Sequence, residues 1–390
     1  MRQYHSRFYL FLFMGIFFCL TGRTVSAAEY GDIVQWKDQT IATYNEDDEM
    51  MYQPIGDDGT QEAQALNYLL GSDREKTLMI PEGTVIKLKQ GITIGSNTTL
   101  LATGVTFLLN GEGTGILDNQ VTDTDYHSLE NVVIQGGLWR SKHKKKTYPL
   151  ITLMHASNIQ MEDMTVITSM PETGVRLIAC KNVEMTHCEI RCKKGSKQKK
   201  GLNLAALELD PAVPLLTDGL KSVINKSCVN GQTCQNIVLE KCIVHGRKGI
   251  YAAGVKQKKY QNRLHSKVKI RECTITGTDA EAILLENTIG FSIRKNLLIT
   301  QAGQSKGIHA SGILVQLLAA KGKTHRLSNG VSGNVIYSAR YGMVIRSQSK
   351  RRFGKTTVTG NRSYVQMAGK RAMRVKHCKK KLLKNNKVYV

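Results

Sequence analysis

Acidic residues are scarce in this chain of 390: 31 Asp and Glu stand against 55 Lys and Arg, a formal charge of +24. That imbalance points to an anionic polymer or surface as partner rather than a neutral small molecule. Aromatic residues supply only 6% of the chain and proline only 6 positions, while hydrophobic residues supply 41%. Such a composition excludes disordered and collagen-like chains and leaves room for one large domain or two ordinary ones. CxxC pairs and HxxxH spacings are missing, so a structural zinc site has no support. Nucleophilic triads and nucleotide fingerprints are missing too, and Gly111-EGTG lacks the Lys-Ser/Thr of a phosphate loop. No nucleic-acid recognition module stands beside the positive charge, so nucleic acid is not the expected partner.

Long apolar runs are confined to the N-terminus. Arg2 and Arg7 precede an apolar stretch from Phe8 to Leu20, and Val25, Ser26 and Ala27 offer small residues for cleavage. Residues 1–27 are therefore read as an export signal, and the run falls short of the ~20 apolar residues of a bilayer span. No later segment is long and apolar enough to cross a membrane, and nothing near the C-terminus resembles a wall anchor. The expected product is secreted, monomeric and free of membrane spans. Its eight remaining cysteines would meet an oxidising compartment, where Cys228 and Cys234, close together in one Gly/Asn-containing insertion, are the expected disulfide.

A repeat sets the architecture. Asn131-VVIQGGLW, Asn158-IQMEDMTV, Asn182-VEMTHCEI, Asn236-IVLEKCIV and Lys267-VKIRECTI share one alternating apolar and polar template, with weaker copies to the end of the chain. Period two is strand logic. Each copy is followed by a second short strand, as in Ile151-TLMH, Val175-RLIA, Leu207-ELDP, Ile250-YAAG and Ile283-LLEN. Several short strands per period, without helical periodicity, predict an all-β solenoid, a β-helix of about ten coils. One template position carries Gly137, Met164, Cys188, Cys242, Cys273, Asn296, Asn334, Asn361 and Asn386. Stacked coils place these in one column, with Asn laddering and the thiols behaving as small apolar groups. Upstream, the Asp57-Asp58-Gly59-Thr60 turn leads into Gln61 to Leu70, whose Ala63, Leu66, Leu69 and Leu70 share one helical face suited to covering the solenoid's open end.

The order DDGTQEA, helix, LMIPEGTV, SNTTLLATGVTF resembles the N-terminal cap of the pectate lyase superfamily, and the later repeats resemble bacterial β-helix repeat proteins. The resemblance covers residues 56–390 and implies a right-handed single-stranded parallel β-helix. Together with the signal read above, the chain is expected to divide into a signal (1–27), an N-terminal segment (28–55), a cap with first coils (56–130) and β-helix repeats (131–390). Of the polygalacturonase motifs only Arg374-Val375-Lys376 has a counterpart, so the fold does not carry that activity over.

Stacking the second strands aligns Thr152, Arg176, Glu208, Tyr251, Leu284, Leu314, Val344 and Arg374 in one outward column. Met154, Ile178, Asp210, Ala253, Glu286, Gln316, Arg346 and Lys376 form the next. Glu208 and Asp210 should stand ~6.5 Å apart along the strand, and Glu286 roughly 9.6 Å from Asp210 across two coils. These spacings approach the ~6.5–9.5 Å carboxyl separation of inverting glycosidases, making Glu208, Asp210 and Glu286 the candidate catalytic acids. Arg176, Tyr251, Arg346, Arg374 and Lys376 are the candidate substrate-binding residues. A lyase would instead neutralise a uronate carboxylate with an arginine, or with Ca²⁺ held by Glu208, Asp210 and Glu286; hydrolysis needs no cofactor. His245, one coil from the acids, is a further proton carrier to consider. Lysine runs at 142–146, 193–200, 256–259, 321–323 and 379–381 flank the second strands on both rims. Two functions follow: an enzyme acting on an acidic polysaccharide by hydrolysis, elimination or epimerisation, or a noncatalytic protein docking on anionic glycans through its basic rims.

Overall fold

The computed structural model describes residues 33–390 except 112–114, 143–147, 194–204, 215–225, 256–258, 302–306, 319–325, 349–350 and 367–371. The expected export signal lies outside the described residues, as do most of the rim lysines, including Lys144 to Lys146, Lys194, Lys197, Lys199, Lys200, Lys256, Lys258, Lys321, Lys323 and Lys350.

Each repeat of the template forms one rung in a stack. Among the described residues, three sheets of 15, 11 and 10 strands take one strand per coil in the same order, paired in parallel. The result is the expected right-handed parallel β-helix, and the ten rungs of the third sheet agree with the expected ten coils. At the N-terminus, Ile33–Trp36, Gln39–Tyr44 and Met50–Tyr52 extend the first sheet, the first two pairings being antiparallel.

The corners explain the template. Asp163, His187, Lys241, Glu272 and Lys295 all take φ between 53° and 57°, a left-handed conformation that turns the chain from first to second sheet. Gly333 and Gly360 serve at the same corner of later coils without the steric cost of a Cβ. The residue after each bend points inward and builds the predicted column, in which Cys188, Cys242 and Cys273 are buried. The Cys273 N–H donates to Asn296 Oδ1 (2.9 Å), and the Nδ2 groups of Asn296, Asn334 and Asn361 donate to the next amide at 2.9, 2.8 and 2.8 Å. A buried amide so satisfied costs little, whereas an unpaired one is expensive. Asn131, Asn158, Asn182 and Asn236 open their repeats at another left-handed bend and form a second, exposed ladder with bonds of 2.9–3.1 Å.

Inside, one apolar cluster runs from Ile41 to Val375, with Phe107 stacked on Trp139 at 4.0 Å. The helix spans Thr60–Leu70, one residue longer than expected, and buries Ala63, Leu66, Leu69 and Leu70 in that cluster. Asp57 starts it, accepting the N–H groups of Gly59, Gln61 and Glu62. Tyr52 donates to Glu62 Oε1 (2.6 Å), tying the helix to the entering strand.

The expected Cys228–Cys234 disulfide does not form, and all eight described cysteines are free. Proximity in sequence misled: Cys228 ends a short turn with its sulfur toward the Asp123 carbonyl (3.7 Å), while Cys234 enters the main core against the Leu177 carbonyl (3.3 Å).

Candidate functional site

The third sheet reproduces the predicted register. Thr152, Arg176, Glu208, Tyr251, Leu284, Leu314, Val344 and Arg374 pair in sequence across its rungs, and Glu286, Gln316 and Arg346 pair in the neighbouring column. Alternation fixes this, because a period-two strand with one face in the core must turn every second residue away from it.

Turned away from the core is not the same as exposed. Leu284, Leu314 and Val344 are buried in a second apolar cluster with Ala205, Tyr251, Ala253 and Tyr341. Glu208 is 8% exposed and Asp210 1%. Tyr251, expected as a stacking platform, is 6% exposed, and Lys248 sits over its ring at 4.6 Å.

Two polar networks cross this covered face. In the first, Arg176 Nε donates to Asp210 Oδ2 at 2.6 Å and lies 3.8 Å from Glu208 Oε2. Glu208 Oε1 also accepts the Ala205 N–H at 3.0 Å. Burial and the charge of Asp210 push Glu208 well above the ordinary carboxylate range, against the pull of Arg176. Burial works against the Arg176 charge, but the two acids more than offset it. In the second network, Tyr251 OH (3.0 Å) and the Gly254 N–H (3.3 Å) donate to Glu286 Oε2, and Gln316 Nε2 donates to Oε1 at 2.7 Å. Gln316 Oε1 accepts from Arg346 Nε and Nη2 at 3.2 and 2.9 Å.

The other predicted residues lie apart. Arg374 packs its guanidinium over the Tyr341 ring at 4.4 Å, and Lys376 is exposed at the last rung. His245 belongs to the second sheet, where it pairs with Arg191; burial and that arginine hold its pKa low. Of the residues suggested for Ca²⁺, Asp210 is paired with Arg176, which also stands beside Glu208, and Glu286 is engaged in the other network. Among the described residues no three His, Cys, Asp or Glu side chains converge as a metal set.

Sequence reasoning missed one constellation beside this face. His309, in the short helical turn Gly307–Ala310, meets Glu281, just before the strand Ile283–Glu286, at 2.5 Å. Neither residue belongs to the alternating columns, so the register argument could not find them.

No protein-family model matches the chain, and no curated protein gives a significant match. Solved structures do share its fold. PfbA, a surface adhesin of Streptococcus pneumoniae, aligns with a TM-score of 0.54 at 15% identity, covering 87% of this chain and 90% of that one. The A-module of the mannuronan C-5 epimerase AlgE6 of Azotobacter vinelandii aligns at 0.52 and 11%, covering 86% and 97%. ORF18 of Geobacillus virus E2 aligns at 0.56 and 11%; the alignment covers 86% of this chain but 59% of that protein. At such identities the likeness is one of fold. The resemblance to the pectate lyase superfamily therefore stands as a shared right-handed parallel β-helix.

Proposed function

We propose that this is a secreted carbohydrate-active protein that cleaves an acidic polysaccharide on its ten-stranded sheet. The observation carrying this reading is a row of polar and charged side chains over six successive rungs, with Arg176 and Arg346 at the ends and Glu208, Asp210, Tyr251, Glu286 and Gln316 between them. The span is about 24 Å at the usual strand spacing, enough for several sugar rings. Hydrolysis would use Glu208, whose pKa burial and Asp210 raise, as the acid and Glu286 as the base. Elimination would use a cation against the uronate carboxylate. An epimerase of mannuronan and a surface adhesin with the same fold keep both glycan chemistry and noncatalytic adhesion in view.

The test is product analysis on a panel of uronates, glycosaminoglycans and wall polymers. Unsaturated ends absorbing in the ultraviolet report elimination, and reducing ends alone report hydrolysis. Glu208→Gln and Glu286→Gln should each lower turnover by 10² or more if they transfer protons, on the order expected for general acid–base groups. The burial of Glu208 and Asp210 favours one alternative, a noncatalytic binder. In that case no product forms, while retention on an anionic glycan column persists and weakens as salt rises.

A further inference from the structure

Glu281 is fully buried, yet one of its oxygens, Oε2, has no hydrogen-bond partner, and the hydroxyl of Thr278 in the same turn is equally orphaned. Buried carboxylates are rarely left half satisfied, because each missing bond costs free energy that folding must offset elsewhere. The other oxygen, Oε1, accepts from His309 Nδ1 at 2.5 Å, and the His309 side chain is 51% exposed. The imidazole thus has its back fixed by a buried acid while its ring faces solvent. With Nδ1 protonated by this bond, Nε2 is the free, basic nitrogen. That is the arrangement of a base held in one tautomer by an orienting carboxylate.

The surroundings supply the charges a proton transfer beside a carboxylate needs. Burial lowers the Lys248 pKa against the pull of Glu281, Glu286 and Glu208, and Lys248 acts in turn on His309. The Arg340 backbone N–H donates to the Ala310 carbonyl at 3.2 Å and anchors the end of the His309 turn. The hydrogen bond to Glu281 raises the His309 pKa, with Glu286 adding to this, while burial and Lys248 oppose it.

We propose that His309, oriented by Glu281, is the proton-transfer group of this site and cleaves a uronate chain by β-elimination, an inference that rests on the acidic-polysaccharide reading above. His309 Nε2 takes the proton from the carbon bearing the carboxylate. The C–H electron pair becomes the new C=C bond, and the bond from the adjacent carbon to the glycosidic oxygen breaks. The departing oxygen keeps that pair and takes the proton back from the imidazolium. No water, oxidant or metal enters the balance. Lys248 supplies positive charge where the substrate carboxylate gains electron density. Glu281 is a positioning residue and does not touch substrate.

The experiment compares wild type, His309→Gln, Glu281→Gln, Glu281→Asp and the remote control His187→Gln. Ultraviolet absorbance of unsaturated ends is followed across pH, with thermal melts to confirm folding. The expected results are unsaturated products from wild type, a loss of 10² to 10⁴-fold for His309→Gln, and no change for the control. Glu281→Gln should shift the acid limb of kcat/KM to lower pH, since it removes the carboxylate charge that raises the His309 pKa, and Glu281→Asp should keep the charge and so undo part of that shift. Full activity of folded His309→Gln overturns the assignment. So do saturated products, which leave the polysaccharide reading standing. Absence of both turnover and retention on every acidic polymer sinks that reading, and this inference with it.

Discussion

His265 is buried where the third sheet turns back to the first, with Nδ1 accepting the Cys234 N–H (3.1 Å) and Nε2 donating to the Ala253 carbonyl (3.0 Å). A second proton has nowhere to go, because Nδ1 already faces a donor, and burial lowers the pKa. His155 is similar, its Nε2 bound to the Cys228 carbonyl at 2.7 Å and its Nδ1 buried without a partner. The unfolded chain takes up these protons near pH ~6.5, the folded chain only at lower pH. Their stabilisation is therefore full above that value and is lost as pH falls toward the folded pKa. Glu208 has the opposite sign, since its raised pKa makes the fold bind a proton more tightly and stabilises it on acidification. The histidines contribute a decline in Tm between roughly pH 6.5 and 5, which Glu208 opposes over the same window. In His265→Gln that decline should be shallower, and thermal melts across pH check the difference.

At the scale of the strand, small residues line the corner that opens onto the third sheet. Gly249 is one of them: a Cβ there would stand 2.3 Å from Ile275 Cγ2 and 2.5 Å from the Ala282 carbonyl. Gly312 meets Ile336 Cγ2 at 2.2 Å in the same way. Isoleucines of the second sheet fill this corner, so an added methyl must displace backbone. Gly249→Ala should destabilise by about 1–3 kcal/mol, the usual range for overpacking, measured by denaturant unfolding. This corner shows what the sequence makes legible and what it hides. The alternating template revealed the rungs, the inward Cys and Asn column and the pairing of Arg176 with Glu208, because period two and stacking leave one solution. The burial of that face was not legible, because it depends on what packs over it; Tyr251 and Leu284 look outward in the pattern and are covered in the fold. His309 and Glu281 were missed because they lie in connections with no periodicity. The disulfide was misjudged because closeness in sequence says nothing about which side of a wall each sulfur occupies.

Across the whole molecule the two amide ladders run in opposite senses. Exposed Asn131, Asn158, Asn182 and Asn236 each donate toward the N-terminal neighbour, whereas buried Asn296, Asn334 and Asn361 each donate toward the C-terminal one. In the buried ladder each carbonyl oxygen also takes the backbone N–H of the preceding amide, at 3.0–3.1 Å, so every rung is stitched twice to the next. Contacts of this nearest-neighbour kind make stability a sum over rungs. Pulled from its C-terminal end, the solenoid should unravel like a ratchet, releasing chain in packets of 25, 27 and then 38 residues as successive amides let go. Single-molecule stretching would record these as a sawtooth, and an Asn334→Ala variant should merge two teeth into one.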